Sequence, residues 1–214
     1  MYAAKLVSIV CPLGLVLGII AGGIHVLSGP DHLASITSLS RAAPRRPWIL
    51  GFVWGVGHTS GFWMVSLLAL GASQLMPVEP MAVWSDTLAS AGVAALGLWS
   101  LMRLWLTDRS GVETADLQPA LSARAACGLG VLHGLAGSSH YLGVLPALAF
   151  SSAAEGLAYL IAFGAATILL MVAFSWGLGS ALGRLANWGG PQYRWALTGC
   201  AAVAVAVGVG GIFF

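Results

Sequence analysis

The sequence predicts an all-α polytopic membrane protein, in which six transmembrane helices form two inverted three-helix repeats with broken first helices. Three observations predict this fold. Of the 214 residues, 58% are hydrophobic and 7% are charged, whereas a soluble globular domain carries about 25% charged residues. Six segments are long and apolar enough to cross a bilayer. The chain also matches itself at one constant offset, with three of these segments in each half.

The six apolar segments have the length of about 20 residues that a membrane helix needs, and they lie at 6–28, 48–72, 82–106, 124–148, 155–183 and 193–214. The first segment continues into the more polar stretch GPDHLASITSLS. We expect this helix to break at Gly29–Pro30, because proline removes a backbone donor and clashes with the preceding turn. The fourth segment contains the polar stretch GSSH and is predicted to break as well.

All arginines fall on one side of the membrane in this arrangement, and Lys5 alone falls on the other. The positive-inside rule then predicts a cytoplasmic-membrane protein with its arginine-bearing connections in the cytoplasm and both termini outside. The acids at segment ends, Glu79, Asp86 and Glu155, are expected to be solvated. The arginines on the cytoplasmic side are Arg41, Arg45, Arg46, Arg103, Arg109, Arg124, Arg184 and Arg194.

The two halves share the pattern H-x-L-x-G-x-x-H, which occupies residues 25–32 and again 133–140. We therefore divide the chain into a first repeat at 1–106, a cytoplasmic linker at 107–123 and a second repeat at 124–214. Acids, a proline and a glycine are typical of such a linker. Because each repeat has three spans, the second inserts from the opposite side. Secondary transporters with this architecture bind substrate near the bilayer midplane, at broken helices.

All five histidines lie in or beside the apolar segments, and Asp31 is the one acid clearly within them. Ionisable residues at such depths are costly, and they face the protein interior or a water-filled path. Neutral imidazole with a carboxylate suits divalent transition metals such as nickel, cobalt, copper or zinc. The predicted metal ligands are His25, Asp31, His32, His58, His133 and His140.

Structural roles are the alternative for several of these residues. His58 can equally be an interhelical hydrogen-bonding residue. Asp31 can stabilise the positive end of the helix that Pro30 begins. No acid accompanies His133 and His140, so the first repeat is expected to bind the ion more strongly.

Other classes of protein are disfavoured by the sequence. It contains no basic run of the kind that binds nucleic acid. The three cysteines have no CxxC spacing, which excludes a thiol relay and a disulfide framework. No P-loop is present, so direct coupling to ATP would need another subunit. We expect no enzymatic activity and no permanently bound cofactor.

Three stretches carry a resemblance to a known family: HVLSGPDHLASI, GFVWGVGHTSG and GLGVLHGLAGSSHYLGVLPALAF. They resemble the nickel/cobalt transporter superfamily and, within it, the urease-accessory nickel permease branch. The resemblance implies a polytopic permease that needs His25, Asp31 and His32, with His58 in a second motif. The chain departs from the high-affinity members in two ways. Five residues rather than four separate His25 from the pair Asp31–His32. Six spans are predicted rather than eight.

The expected function is secondary transport of Ni²⁺ or Co²⁺ through the His/Asp site. Efflux relatives often carry a long histidine-rich cytoplasmic loop, and its absence from the linker favours uptake. The expected partners are the metal ion and the lipid bilayer, and a homo-oligomer is compatible with the sequence. Three alternatives stay open: a metal exporter of the same fold, a membrane haem or electron-transfer protein with histidine ligands, and a membrane metal chaperone or sensor.

Overall fold

The computed structural model describes residues 2–39, 46–72, 78–110, 118–135, 138–188 and 191–213. Within these ranges the chain is α-helical, as predicted. The helices of the described residues are α1 (Tyr2–Ser28), α2 (Pro30–Leu39), α3 (Pro47–Ala72), α4 (Val78–Ser110), α5 (Gln118–Leu135), α6 (Ser138–Ala149), α7 (Ala153–Trp188) and α8 (Pro191–Phe213).

The predicted break at Gly29–Pro30 is confirmed. Helix α1 ends at Ser28, α2 begins at Pro30, and the two axes differ in direction by 66°. The carbonyl of Gly29 accepts backbone hydrogen bonds from His32 and Leu33, which starts the new helix. Proline suits this first helical position because its missing N–H has no partner there in any case. The bend brings the last turn of α1 close to the first turn of α2.

The predicted fourth segment forms two helices, α5 and α6, which end at Leu135 and begin at Ser138. The two residues between them lie outside the described part of the chain. Helices α4 and α5 also extend into the predicted linker 107–123, as far as Ser110 and from Gln118. The helical conformation therefore continues beyond the apolar segments. Polar residues at a helix end can lie outside the bilayer and still be helical.

Three helical stretches among the described residues are long and apolar enough to cross a membrane: Asp86–Leu106, Ala153–Ala186 and Pro191–Phe213. The bent pair α1–α2 becomes a fourth if it is counted as one span. The 26-residue helix α3 is not among them, and its centre carries the polar residues His58, Thr59 and Ser60. The prediction of six spans in inverted repeats therefore remains a prediction.

Small residues allow the helices to approach closely, as is common where helices pack in membranes. Helix α1 packs on α7, α5 packs on α3, α3 packs on α7, and α4 packs on α8. Gly18 and Gly22 of α1 lie directly against the backbone of Tyr159 and Phe163 in α7. A side chain at either glycine would collide with that backbone. The glycines thus fix the distance between α1 and α7.

The outer faces of the helices are apolar, which is consistent with a lipid bilayer. Leu27, Leu169 and Trp176 are each more than 60% exposed, and many other large hydrophobic residues are exposed with them. Soluble monomers rarely expose apolar patches of more than a few hundred Å². We describe the chain as a membrane protein on this basis, together with its apolar helices.

Glu155 corrects one expectation from the sequence. It lies in the first turn of α7 and is buried, with 6% of its surface exposed. Burial follows from the close packing of α1, because Gly14 lies against the backbone of Glu155. Asp86 is half-buried, and the side chain of Glu79 lies outside the described part of the chain.

Candidate metal site

Four of the predicted histidines meet in the interior of the helical bundle. His25 lies in the last turn of α1, His32 in the first turn of α2, His58 in the middle of α3, and His133 in the last turn of α5. His32, His58 and His133 are buried, and His25 is half-buried. The bend at Gly29 brings the rings of His25 and His32 to a centroid distance of 4.6 Å.

Three imidazole nitrogens form a compact cluster. The Nε2 atom of His58 lies 3.4 Å from Nε2 of His25 and 3.2 Å from Nε2 of His32. One nitrogen from each of the three rings lies within 4.8 Å of the others. An ion about 2.1 Å from two nitrogens holds them about 3.0 Å apart in octahedral and about 3.4 Å apart in tetrahedral geometry. The three rings, which we call the three-histidine cluster, could therefore hold one metal ion.

Asp31 lies beside the three-histidine cluster and contacts two histidines. Its Oδ1 is 3.0 Å from Nδ1 of His32, and its Oδ2 is 3.4 Å from Nε2 of His133. When His32 donates its Nδ1–H to this carboxylate, its Nε2 keeps a lone pair directed at His58. Carboxylates orient metal-binding histidines in this way and raise their basicity. The sequence predicted Asp31 as a ligand, and in the structure it is hydrogen-bonded to one candidate ligand.

His133 is held by the backbone of its own helix. Its Nδ1 lies 3.1 Å from the carbonyl oxygen of Leu129, one turn earlier in α5. A carbonyl accepts only, so Nδ1 carries the hydrogen and donates it. The other nitrogen, Nε2, faces Asp31. His140 lies in α6, but its side chain is outside the described part of the chain.

Trp54 forms a wall of the site that the sequence reasoning missed. Its buried ring stacks on His58 at a centroid distance of 5.0 Å, and it lies 5.3 Å from His32 and 5.6 Å from His133. Trp54 precedes His58 by one helical turn in α3. That spacing on one helix face could have identified it, because residues four apart are neighbours.

Aromatic rings close the other side of the cluster, next to His25. The ring of Phe163 in α7 lies 5.3 Å from that of His25, and it stacks on Phe62 of α3 at 4.4 Å. Phe62, Phe163 and Tyr159 are each 1% exposed or less. The side chain of Asp31, by contrast, is 39% exposed. The site is therefore open beside Asp31 and closed beside Phe163.

Replacing Asp31 with asparagine tests the role of the carboxylate. Asp31→Asn keeps the size of the side chain but removes its charge and its preference for accepting hydrogen bonds. We expect the affinity for Ni²⁺ to fall about 10- to 100-fold, the usual cost of losing the partner of a metal-binding histidine. Calorimetric titration of the purified protein with Ni²⁺ measures this change.

The matched control for Asp31→Asn is Thr37→Ala in the same helix. The hydroxyl of Thr37 donates to the carbonyl of Ala34, and the side chain is half-buried. Thr37→Ala should bind Ni²⁺ as the parent chain does. Equal affinities for the parent chain and Asp31→Asn would mean that Asp31 serves only to stabilise the start of α2.

Comparisons with known proteins give two curated relatives, both from Arabidopsis thaliana. The chain is 30% identical to Chloroplast protein FOR GROWTH AND FERTILITY 1 over 133 residues, which is 55% of this chain and 36% of the relative. It is 28% identical to Chloroplast protein FOR GROWTH AND FERTILITY 2 over 127 residues, or 55% of this chain and 34% of the relative. The match thus spans about a third of the length of these relatives. No family model and no solved structure matches the chain significantly.

Proposed function

We propose that this chain is a membrane permease that moves a divalent transition-metal ion, Ni²⁺ or Co²⁺, by secondary transport. One observation carries the proposal: three imidazole nitrogens from α1, α2 and α3 converge at a helix break inside an apolar helical bundle. Polar groups at such a position are costly, and in membrane proteins they mark ion and substrate pathways. The set of ligands suits a borderline transition metal better than Mg²⁺ or Ca²⁺, which prefer oxygen.

Hydrogen bonding between the rings explains the cluster less well than a metal ion does. Nε2 of His58 is close to Nε2 of both His25 and His32. Because a neutral His32 donates its one hydrogen from Nδ1 to Asp31, its Nε2 can only accept. Nε2 of His58 then either donates to one neighbour or accepts from His25, but it cannot form a well-directed hydrogen bond with both. The other contact then joins two nitrogens without a well-directed hydrogen between them. A metal ion accepts the lone pairs of all three nitrogens at once.

Helix packing supports the inverted repeat that this proposal includes. If the repeats are related by a two-fold axis, α1 corresponds to α5 and α3 to α7. The packing of α1 on α7 then corresponds to that of α5 on α3, and both pairs are in contact. Gly22 lies against the backbone of Phe163, and its counterpart Gly130 lies against Trp54. At the offset of 108 residues, Phe163 corresponds to Gly55, the residue after Trp54. The two contacts therefore differ by one residue.

We infer alternating access of the two repeats around the histidines, with six spans and both termini on the side opposite to the arginines. The relatives are named as chloroplast proteins. The membrane proposed for this chain is therefore a cytoplasmic membrane or a chloroplast membrane. Uptake into the arginine-rich compartment is the proposed direction.

The geometry favours a bare ion over haem. Two axial histidines bind on opposite faces of the macrocycle, so their nitrogens are separated by about 4 Å with the porphyrin between them. The 3.2 and 3.4 Å contacts around His58 are shorter and leave no space for a porphyrin. A metal exporter uses the same ligands, so the direction of flux distinguishes it from an importer.

Radiolabelled Ni²⁺ flux into proteoliposomes tests the proposed function. We expect saturable Ni²⁺ flux that Co²⁺ inhibits strongly and Mn²⁺ inhibits weakly, because Mn²⁺ has the lowest affinity for nitrogen ligands in the divalent series. Zn²⁺ is included as the third competitor. Loading the metal inside or outside the vesicles measures the direction.

His32→Ala in the same vesicles is the control for the flux measurement. His32 supplies one nitrogen of the three-histidine cluster, so this variant should show the flux of empty vesicles. Flux that is equal in His32→Ala and the parent chain would refute transport through this site. Flux that is absent from the parent chain would refute transport itself.

A further inference from the structure

We propose that Asp31 and His133 form a second cation position, through which the transported ion passes before it reaches the three-histidine cluster. This inference rests on the proposed function, and it goes beyond it by assigning a sequence of binding. The position lies between Oδ2 of Asp31 and Nε2 of His133, which are 3.4 Å apart.

The hydrogen bond of His133 to Leu129 leaves its Nε2 atom without a hydrogen, and this atom faces the carboxylate of Asp31. Nδ1 donates to the carbonyl of Leu129, so the neutral ring has its lone pair on Nε2. Nε2 is fully buried, and among the described residues it has no hydrogen-bond partner. It faces Asp31, which accepts a hydrogen bond from His32 through its other oxygen. Two groups that both donate electron pairs therefore point at each other.

The distance between the two atoms fits a cation better than a proton. A hydrogen bond between a charged imidazolium and a carboxylate is about 2.7–2.9 Å long. The observed separation of 3.4 Å is longer. It equals the spacing of about 3.4 Å between two ligands of a tetrahedrally bound transition metal. A nitrogen and a carboxylate oxygen are also the ligand types that such ions accept.

The exposure of Asp31 and the contacts of His32 indicate that this position lies between water and the three-histidine cluster. The side chain of Asp31 is 39% exposed, whereas those of His32 and His133 are 3% and 2% exposed. Water can therefore complete the coordination of an ion bound next to Asp31. His32 connects the two positions, because its Nδ1 contacts Asp31 and its Nε2 belongs to the three-histidine cluster. Two divalent cations this close repel each other, so the positions are occupied in turn.

His133→Asn isolates the second position. The asparagine side chain can still donate to the carbonyl of Leu129, but it has no atom in the place of Nε2. We expect Ni²⁺ affinity at equilibrium to change by less than about threefold, because the three-histidine cluster is intact. Ni²⁺ flux into proteoliposomes should fall at least about tenfold, comparable with the loss of a group next to a metal.

The His58→Asn background tests binding at the second position directly. This change disables the three-histidine cluster, and weak Ni²⁺ binding that involves one imidazole should remain, as measured by X-ray absorption spectroscopy. Adding His133→Asn should remove that binding. Leu132→Ala on the lipid-exposed face of α5 is the control for handling in detergent. His133→Gln serves as a second variant if His133→Asn does not assemble.

The outcomes separate this inference from the proposed function. The second position is overturned if His133→Asn has the Ni²⁺ flux of the parent chain. It is also overturned if His133→Asn loses its equilibrium Ni²⁺ affinity together with its flux. Absence of residual Ni²⁺ binding in His58→Asn overturns it as well. If the parent chain and His58→Asn bind Ni²⁺ as expected but the parent chain shows no Ni²⁺ flux, the transport function is refuted and the second position stands.

Discussion

Replacing His58 with asparagine should abolish Ni²⁺ flux and lower Ni²⁺ affinity by at least about 100-fold. The Nε2 atom of His58 is the one that contacts both other nitrogens of the three-histidine cluster, at 3.4 and 3.2 Å. Losing a partner of a metal ligand costs about 10- to 100-fold in affinity, so losing the ligand itself should cost at least the upper value. Calorimetry and proteoliposome flux measure the two effects.

Asparagine is preferable to alanine at position 58 because the site is tightly packed. The ring of His58 is fully buried and stacks on Trp54. Removing the whole ring would leave a cavity and lower stability for reasons unrelated to metal. Asparagine fills part of the space and keeps polar atoms that can form hydrogen bonds.

Ser60→Ala is the matched control for His58→Asn. Ser60 lies two residues further along α3, is exposed, and donates its hydroxyl to the carbonyl of Val56. This variant should bind and transport Ni²⁺ as the parent chain does. If His58→Asn retained the parent affinity, His58 would be the interhelical hydrogen-bonding residue that the sequence also allowed, and the proposed site would be wrong.

The break in the first helix could be predicted because it depends on local chemistry. Proline cannot continue a helix without losing a hydrogen bond, and Gly29 allows the chain to turn before it. His25 and His32 lie on either side of this break, so their proximity was also predictable. Asp31 follows Pro30 directly, and its place in the first turn of α2 needs no tertiary information.

The packing of α3 and α5 against the break between α1 and α2 could not be derived from the sequence in the same way. The position of His58 beside His25 depends on which faces of α1, α3 and α7 pack together, and all three helices are apolar on several faces. Trp54, by contrast, could have been identified from its place one turn before His58 on the same face of α3. The bond from His133 to the carbonyl of Leu129 needs side-chain orientations, which sequence periodicity does not give.

The polar residues of the candidate site lie within helices that the sequence predicts to span the membrane. Helices that bind an ion carry polar groups at the depth where the bilayer favours apolar ones. Helix α3 carries His58, Thr59 and Ser60 at its centre, and α1–α2 is interrupted at Gly29. Among the described residues, the unbroken stretches that are long and apolar enough to cross a bilayer lie in α4, α7 and α8, and none of these helices carries a nitrogen of the three-histidine cluster.

Replacing Gly130 with alanine should destabilise the protein and distort the candidate site. Gly130 of α5 lies in direct contact with the carbonyl oxygen of Trp54 and near the amide nitrogen of His58. A Cβ there would collide with backbone, which cannot rotate away. Overpacking of this kind costs about 1–3 kcal/mol. Because α3 and α5 must separate, we also expect the Ni²⁺ affinity to fall about tenfold, since the histidines lose their alignment.

The neighbouring Gly128 supplies the comparison that isolates packing from helix propensity. A Cβ at Gly128 would meet nothing within 4 Å. Alanine is the better helix former by about 1 kcal/mol at either position, so Gly128→Ala should leave stability equal or slightly higher. Unfolding in SDS, followed by tryptophan fluorescence, measures both variants under the same conditions. If the two glycine variants unfolded at the same SDS concentration, α3 and α5 would not be in contact at Gly130. The position of His133 beside Trp54, which depends on that contact, would then be wrong.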